Sequence, residues 1–132
     1  MKIIDIRAYE GSNIHSYQPL IKMKLDLEEL AEKESKDIEN FNSRLLECLP
    51  GLFEHHCSLG KPGGFVKRLE DGTYLGHVIE HAALELLKLA GQQVIYGKTR
   101  WAYGSVYNIY FEYIWKDSGI AAARAAVALA ES

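Results

Sequence analysis

The chain has 132 residues, one domain's worth at ~150 residues per domain, and is long enough to build a core without covalent staples. Hydrophobic residues make up 48% and charged residues 25%, which excludes a disordered or collagen-like chain. Fifteen basic against eighteen acidic side chains leave a net charge of −3, so duplex nucleic acid is not an expected partner, and no apolar run approaches the ~20 residues of a membrane span.

Residues 2–7 alternate isoleucine with polar residues, as a half-buried strand does. Glu10, Gly11, Ser12 and Asn13 read as a turn. Residues 20–27 alternate again and predict a second strand, antiparallel to the first across a long hairpin. Residues 28–40 form a charge-rich, solvated connection, helical at its start. Residues 41–55 place apolar side chains at helical spacing, with Pro50 expected to kink the helix or open a second short one. A glycine-rich loop over residues 58–64 follows, then one more helical turn over 66–69.

Thr73 is the expected N-cap of a helix running to about Ala90, with Leu75, Val78, Ile79, Ala82, Leu86 and Leu89 as its apolar stripe and Gly91 as its stop. Residues 93–96 and 106–114 predict two more strands, and residues 121–130 a closing helix. The order β-β-α-α-β-β-α implies a single α+β domain over 1–132. It has two layers, an antiparallel sheet of about four strands packed with about three helices. Cys48 and Cys57 are too few for a disulfide framework and lack C-x-x-C spacing. The charged N-terminus does not read as a signal peptide, so reduced thiols in a cytoplasm are expected.

The sharpest local signal is His77-Val78-Ile79-Glu80-His81, an H-x-x-E-H pattern on the best-predicted helix. Two histidines four apart share a helix face, so their imidazoles can hold one Zn²⁺. Glu80 borders that face and suits a general base that takes a proton from water. A third ligand is needed. Glu54, His55, His56 and Cys57 form a second cluster of ligand types, of which His55 or Glu54 is favoured. Glu85, one turn further along, and Glu112 on the last strand are alternatives.

The loop Gly60-Lys61-Pro62-Gly63-Gly64 lacks the phosphate-cradle pattern and reads as a turn or a flap. Lys98-Thr99-Arg100-Trp101 sets cations beside an aromatic, with Arg100 able to clamp a carboxylate. Asn108 and Glu112 share one face of the last strand, and Tyr107, Ile109, Phe111 and Tyr113 the other.

Taken together, Glu54-His55-His56-Cys57-Ser58, Gly60, Gly63-Gly64-Phe65, Gly72-Thr73, Gly76 through His81, Ala83-Leu84-Glu85-Leu86 and Ala90-Gly91 resemble the N-terminal domain of cyanophycin synthetases. Gly97 through Arg100, Val106-Tyr107-Asn108, Phe111-Glu112-Tyr113 and the opening strands extend the resemblance over nearly the whole chain. The family's polymer, cyanophycin, is poly-aspartate with arginine joined to each side-chain carboxylate. The resemblance implies a domain that binds this polymer and, in some members, cuts it at a metallopeptidase-like site to make primers.

Carried over, His77 and His81 bind zinc, Glu80 activates water, and Arg100, with Lys98 and Glu112, meets the substrate. The ATP-grasp and Mur-ligase-like domains, with their ATP and Mg²⁺, lie outside this chain and would be its partners, within a homo-oligomer of the full enzyme. Trp101 departs from the acidic residue expected after the Thr-Arg pair, and the loop around Ala102-Tyr103-Gly104 is also unlike that of the family. These departures bear on polymer contacts rather than on the metal residues. The rival readings are a non-catalytic anchor for the polymer and a scaffold for oligomer contacts.

Overall fold

The computed structural model describes residues 1–57 and 60–132. Its first two strands, β1 (Lys2–Tyr9) and β2 (Leu20–Asp26), pair antiparallel across a ten-residue loop. Two short 3-10 turns, Glu28–Glu32 and Ser35–Asp37, replace any longer helix in the charged connection. The next helix, α1 (Phe41–Cys48), stops before Pro50, which opens a separate 3-10 turn over Pro50–Glu54. Two helical turns follow as α2 (Gly64–Asp71), then α3 (Leu75–Leu89). The chain ends with β3 (Gly97–Tyr103), β4 (Val106–Glu112) and α4 (Lys116–Glu131). The fold is therefore α+β, with a four-stranded antiparallel sheet in the order β1-β2-β4-β3 and four α-helices among the described residues.

Alternation divides the sheet into two unlike faces. Ile21, Met23, Leu25, Ile109 and Phe111 are fully buried and meet α3 and α4. The other face carries rows of polar side chains. Lys22 stands between Arg7 and Tyr110, with Lys98 beyond, and Lys24 stands between Asp5 and Asn108, with Arg100 beyond. The sequence-based division of the last strand agrees with this register.

Two expectations are corrected. The third strand is not residues 93–96, which are irregular, but Gly97–Tyr103. The turn at Gly104 and Ser105, with Gly104 at φ +52°, sets the hairpin. Ser105 accepts from the Leu27 N–H and is bonded to Asp26, so β4 and its partner are fixed from that end. Ile95, apolar and β-branched, is 91% exposed and has no strand partner among the described residues. The cap of α3 also differs. The cap residue is Tyr74, with no side-chain cap bond, because the Thr73 hydroxyl is bonded to His77 instead.

Helix α3 is buried on almost every side, including Ala83, Leu84 and Leu87 outside the expected stripe, whereas Leu89 is 67% exposed. The sheet lies on one side of it and α4 on another. Gly91 adopts φ +87°, as a helix stop requires. Both cysteines are free thiols. No helix among the described residues is long and apolar enough to cross a membrane.

Candidate metal centre on helix α3

His77 and His81 sit one helical turn apart, and their Nε2 atoms lie 3.1 Å from each other. Cys57 Sγ lies 3.6 Å from His77 Nε2, and the ligand atoms of Cys57, His77 and His81 all fall within 4.8 Å of one another. Two nitrogens bound to a tetrahedral zinc at ~2.0–2.1 Å stand roughly 3.3 Å apart, and a nitrogen and a thiolate sulfur at ~2.3 Å roughly 3.6 Å apart. The spacing of the three side chains fits such an ion.

Local structure explains how they meet. The Gly63 N–H donates to the Phe53 carbonyl and the Phe65 N–H to the His55 carbonyl, which ties the segment carrying Cys57 to the start of α2. The Cys57 backbone is held at φ +51°, a left-handed conformation uncommon outside glycine and often found at functional sites. Phe65, fully buried, stacks on His81 with ring centroids 4.1 Å apart and meets His77 edge-on.

The remaining imidazole nitrogens are engaged. His77 Nδ1 lies 3.0 Å from Thr73 Oγ1, and His81 Nδ1 lies 2.9 Å from His55 Nδ1. His55 Nε2 is 3.0 Å from Glu85 Oε1. Burial, reinforced by the Arg68 guanidinium, pushes the His77 pKa down to about 4. Burial and the neighbouring His77, His55 and Arg68 push His81 down to about 2. Both imidazoles are therefore neutral at pH 7, the form that ligates a metal.

Glu80 turns from the histidines toward β3. Thr99 Oγ1 donates to its Oε1 at 2.7 Å, and Oε2 has no hydrogen-bond partner among the described residues. Burial raises its pKa to about 7, against the lowering effect of the Thr99 hydroxyl and the Arg100 charge. A carboxyl poised near neutrality suits a general base. Glu80, Cys57 and both histidines line a cavity of about 610 Å³, which Glu54 and Lys88 also border.

The structure thus brings together His77, His81, Glu80, His55 and Glu85. His55 reaches His81 through the nitrogen opposite the one that faces His77. Glu54 lies at the cavity lining, and Glu112 is on β4, where its N–H donates to the Tyr96 carbonyl. Lys98 and Arg100 alternate away from Thr99 onto the outer face of β3. Reasoning from sequence singled out Cys57 only as a member of the second cluster, and missed Thr73 and Thr99. Thr73 stands four residues before His77, a helical spacing that points to it, whereas nothing in the sequence links Thr99 to Glu80.

A family model described as the cyanophycin synthase-like N-terminal domain matches residues 22–132. Among curated proteins, the cyanophycin synthetase of Geminocystis herdmanii is 46% identical over the whole chain, which covers 15% of that protein. Those of Crocosphaera subtropica and a Synechocystis species are 47% and 44% identical over the whole chain, which covers 16% of each. The chain therefore spans about a sixth of the length of these relatives.

Proposed function

The chain belongs to the cyanophycin synthase-like N-terminal domains, and from that premise we propose that it binds cyanophycin and hydrolyses it at a zinc centre on α3. The products would be short chains that prime ATP-dependent polymerisation by the remaining domains of a synthetase. The observation that carries this reading is the convergence of His77 Nε2, His81 Nε2 and Cys57 Sγ within a few ångströms beside a cavity.

Cys57, rather than His55 or Glu54, is the third ligand in this reading. Zinc held there supplies a Lewis acid that polarises an amide carbonyl and makes water more acidic. Glu80 takes a proton from the attacking water at its free Oε2 and gives it to the nitrogen of the breaking C–N bond. A polymer backbone amide is thereby split into a carboxylate and an amine. Thr99 keeps Oε1 occupied, so the base presents one defined oxygen.

The same reading assigns polymer contacts to the outer sheet face. Lys22, Lys24, Lys98 and Arg100 stand in two adjacent rows there, with Lys98 Nζ 4.8 Å from the Tyr110 ring centroid. Their charges suit the free carboxylates of the polymer's arginines. β3 is an edge strand, so a chain held on this face can pass over it toward the cavity. A second reading, an anchor without hydrolysis, rests on this basic face alone.

One experiment separates the two readings. Soluble cyanophycin is incubated with the chain, with and without a chelator, beside Glu80→Gln. Shortened polymer that disappears with chelator and with Glu80→Gln is expected. Intact polymer under every condition, with polymer still retained by the chain, supports the anchor and overturns the hydrolase.

A further inference from the structure

We infer that Glu85 and His55 are positioning residues that set the tautomer of His81, and so turn its Nε2 lone pair toward the metal. This rests on the metal reading above. The geometry is a file of three buried or half-buried groups, Glu85 Oε1 to His55 Nε2 at 3.0 Å and His55 Nδ1 to His81 Nδ1 at 2.9 Å.

With Glu85 ionised and the imidazoles neutral, one arrangement of protons satisfies this file. The Glu85 carboxylate can only accept, so His55 Nε2 carries the hydrogen. His55 Nδ1 is then bare and accepts from His81 Nδ1–H. His81 Nε2 is left without a hydrogen and faces His77 Nε2. When Thr73 Oγ1 accepts from His77 Nδ1–H, His77 Nε2 is left bare in the same way. In that arrangement the two lone pairs face each other across 3.1 Å, ready to share a cation, and the file keeps that of His81 aimed there.

Ordinary metal sites put a carboxylate or carbonyl directly behind a ligating histidine. Here a second imidazole is interposed, because Glu85 stands on the same helix as His81 and its carboxylate lies over Gly51. A Cβ at Gly51 would collide with the Glu85 carboxylate, so the glycine gives the buried acid its room. Glu85 is only 2% exposed, and His55 Nε2 is its one hydrogen-bond partner among the described residues. Neither residue is hydrogen-bonded to Glu80 among the described residues, so the water-activating step has no other use for them.

The test is zinc affinity, measured by competition with a chromophoric chelator at pH 7.5, with apo-protein folding followed by far-ultraviolet circular dichroism. Glu85→Gln and His55→Leu are each expected to weaken zinc about 10- to 100-fold, the range for lost outer-shell partners. His55→Asn offers its Oδ1 as acceptor where Nδ1 stood, and is expected to recover most of the His55→Leu loss. Adding Glu85→Gln to His55→Asn should then cost little more, because the file is already cut. Unchanged affinity in Glu85→Gln, or fully additive losses in the double variant, would overturn the positioning role. If the unsubstituted chain takes up no zinc, the metal reading itself falls and this inference falls with it.

Discussion

Glu80 shows how opposing effects set one group's chemistry. Burial raises its carboxyl to about 7, while the Thr99 hydroxyl and the Arg100 charge pull it back down. Thr99→Val keeps the β-branched shape and removes only the donor, so the Glu80 pKa moves further up. In the proposed hydrolysis Glu80 works ionised, so activity would climb as pH passes its pKa. The acid limb of kcat/KM for cyanophycin cleavage is expected to shift to higher pH in Thr99→Val, read from a pH–rate profile. A limb that stays in place would remove Thr99 from the control of the base. At this scale the sequence was legible where partners lie within a few residues. His77 and His81 share a helix face by spacing alone, and Glu80 borders it. Cys57 reaches them only because two backbone hydrogen bonds fold its segment against α2, and Thr99 meets Glu80 only because β3 docks on α3. No local pattern encodes either meeting.

At the level of elements, α3 and β3 approach closely because two glycines let them. A Cβ at Gly76 would lie 3.0 Å from Thr99 Cγ2, and one at Gly97 would lie 2.9 Å from Glu80 Cγ and 3.0 Å from the Tyr110 carbonyl oxygen. The second contact includes backbone, which has little room to yield. Gly97→Ala is expected to cost about 1–3 kcal/mol by overpacking and to move Glu80 off Thr99. Hydrolysis should fall while zinc affinity holds, because the atoms nearest a Cβ at Gly97 belong to Glu80 and Tyr110. Thermal unfolding and zinc competition on the same variant check both halves, and a fully active, equally stable variant would contradict this packing. Helix α3 itself was legible from its periodicity and its glycine stop. β3 was displaced by four residues, because Val94 and Ile95 carry strand propensity while the true strand contains Gly97, Lys98 and Arg100. Pairing with β4, set from the turn at Gly104 and Ser105, outweighed that propensity.

The whole molecule places two different surfaces on either side of one edge strand. The α+β layout was legible because alternation and helical periodicity separate cleanly along this chain. The division of labour was not, since Lys98, Thr99 and Arg100 are consecutive yet serve opposite faces. Net charge hides the same fact, because a chain of −3 gathers Lys22, Lys24, Lys98 and Arg100 on one sheet face. If that face holds the polymer, its contribution is electrostatic and exposed, and it should separate from metal binding. Lys98→Gln with Arg100→Gln keeps the side-chain stems and removes two charges. Polymer retention at low salt is expected to weaken roughly tenfold, since an exposed pair contributes ~0.2–1 kcal/mol. The gap should close toward 0.5 M NaCl, where the screening length falls to a few ångströms. Zinc affinity should not change, as both side chains point away from His77 and His81. Equal retention at low salt would show that the polymer enters without the basic face. A loss that salt leaves untouched would assign these residues to packing on Tyr110 rather than to charge.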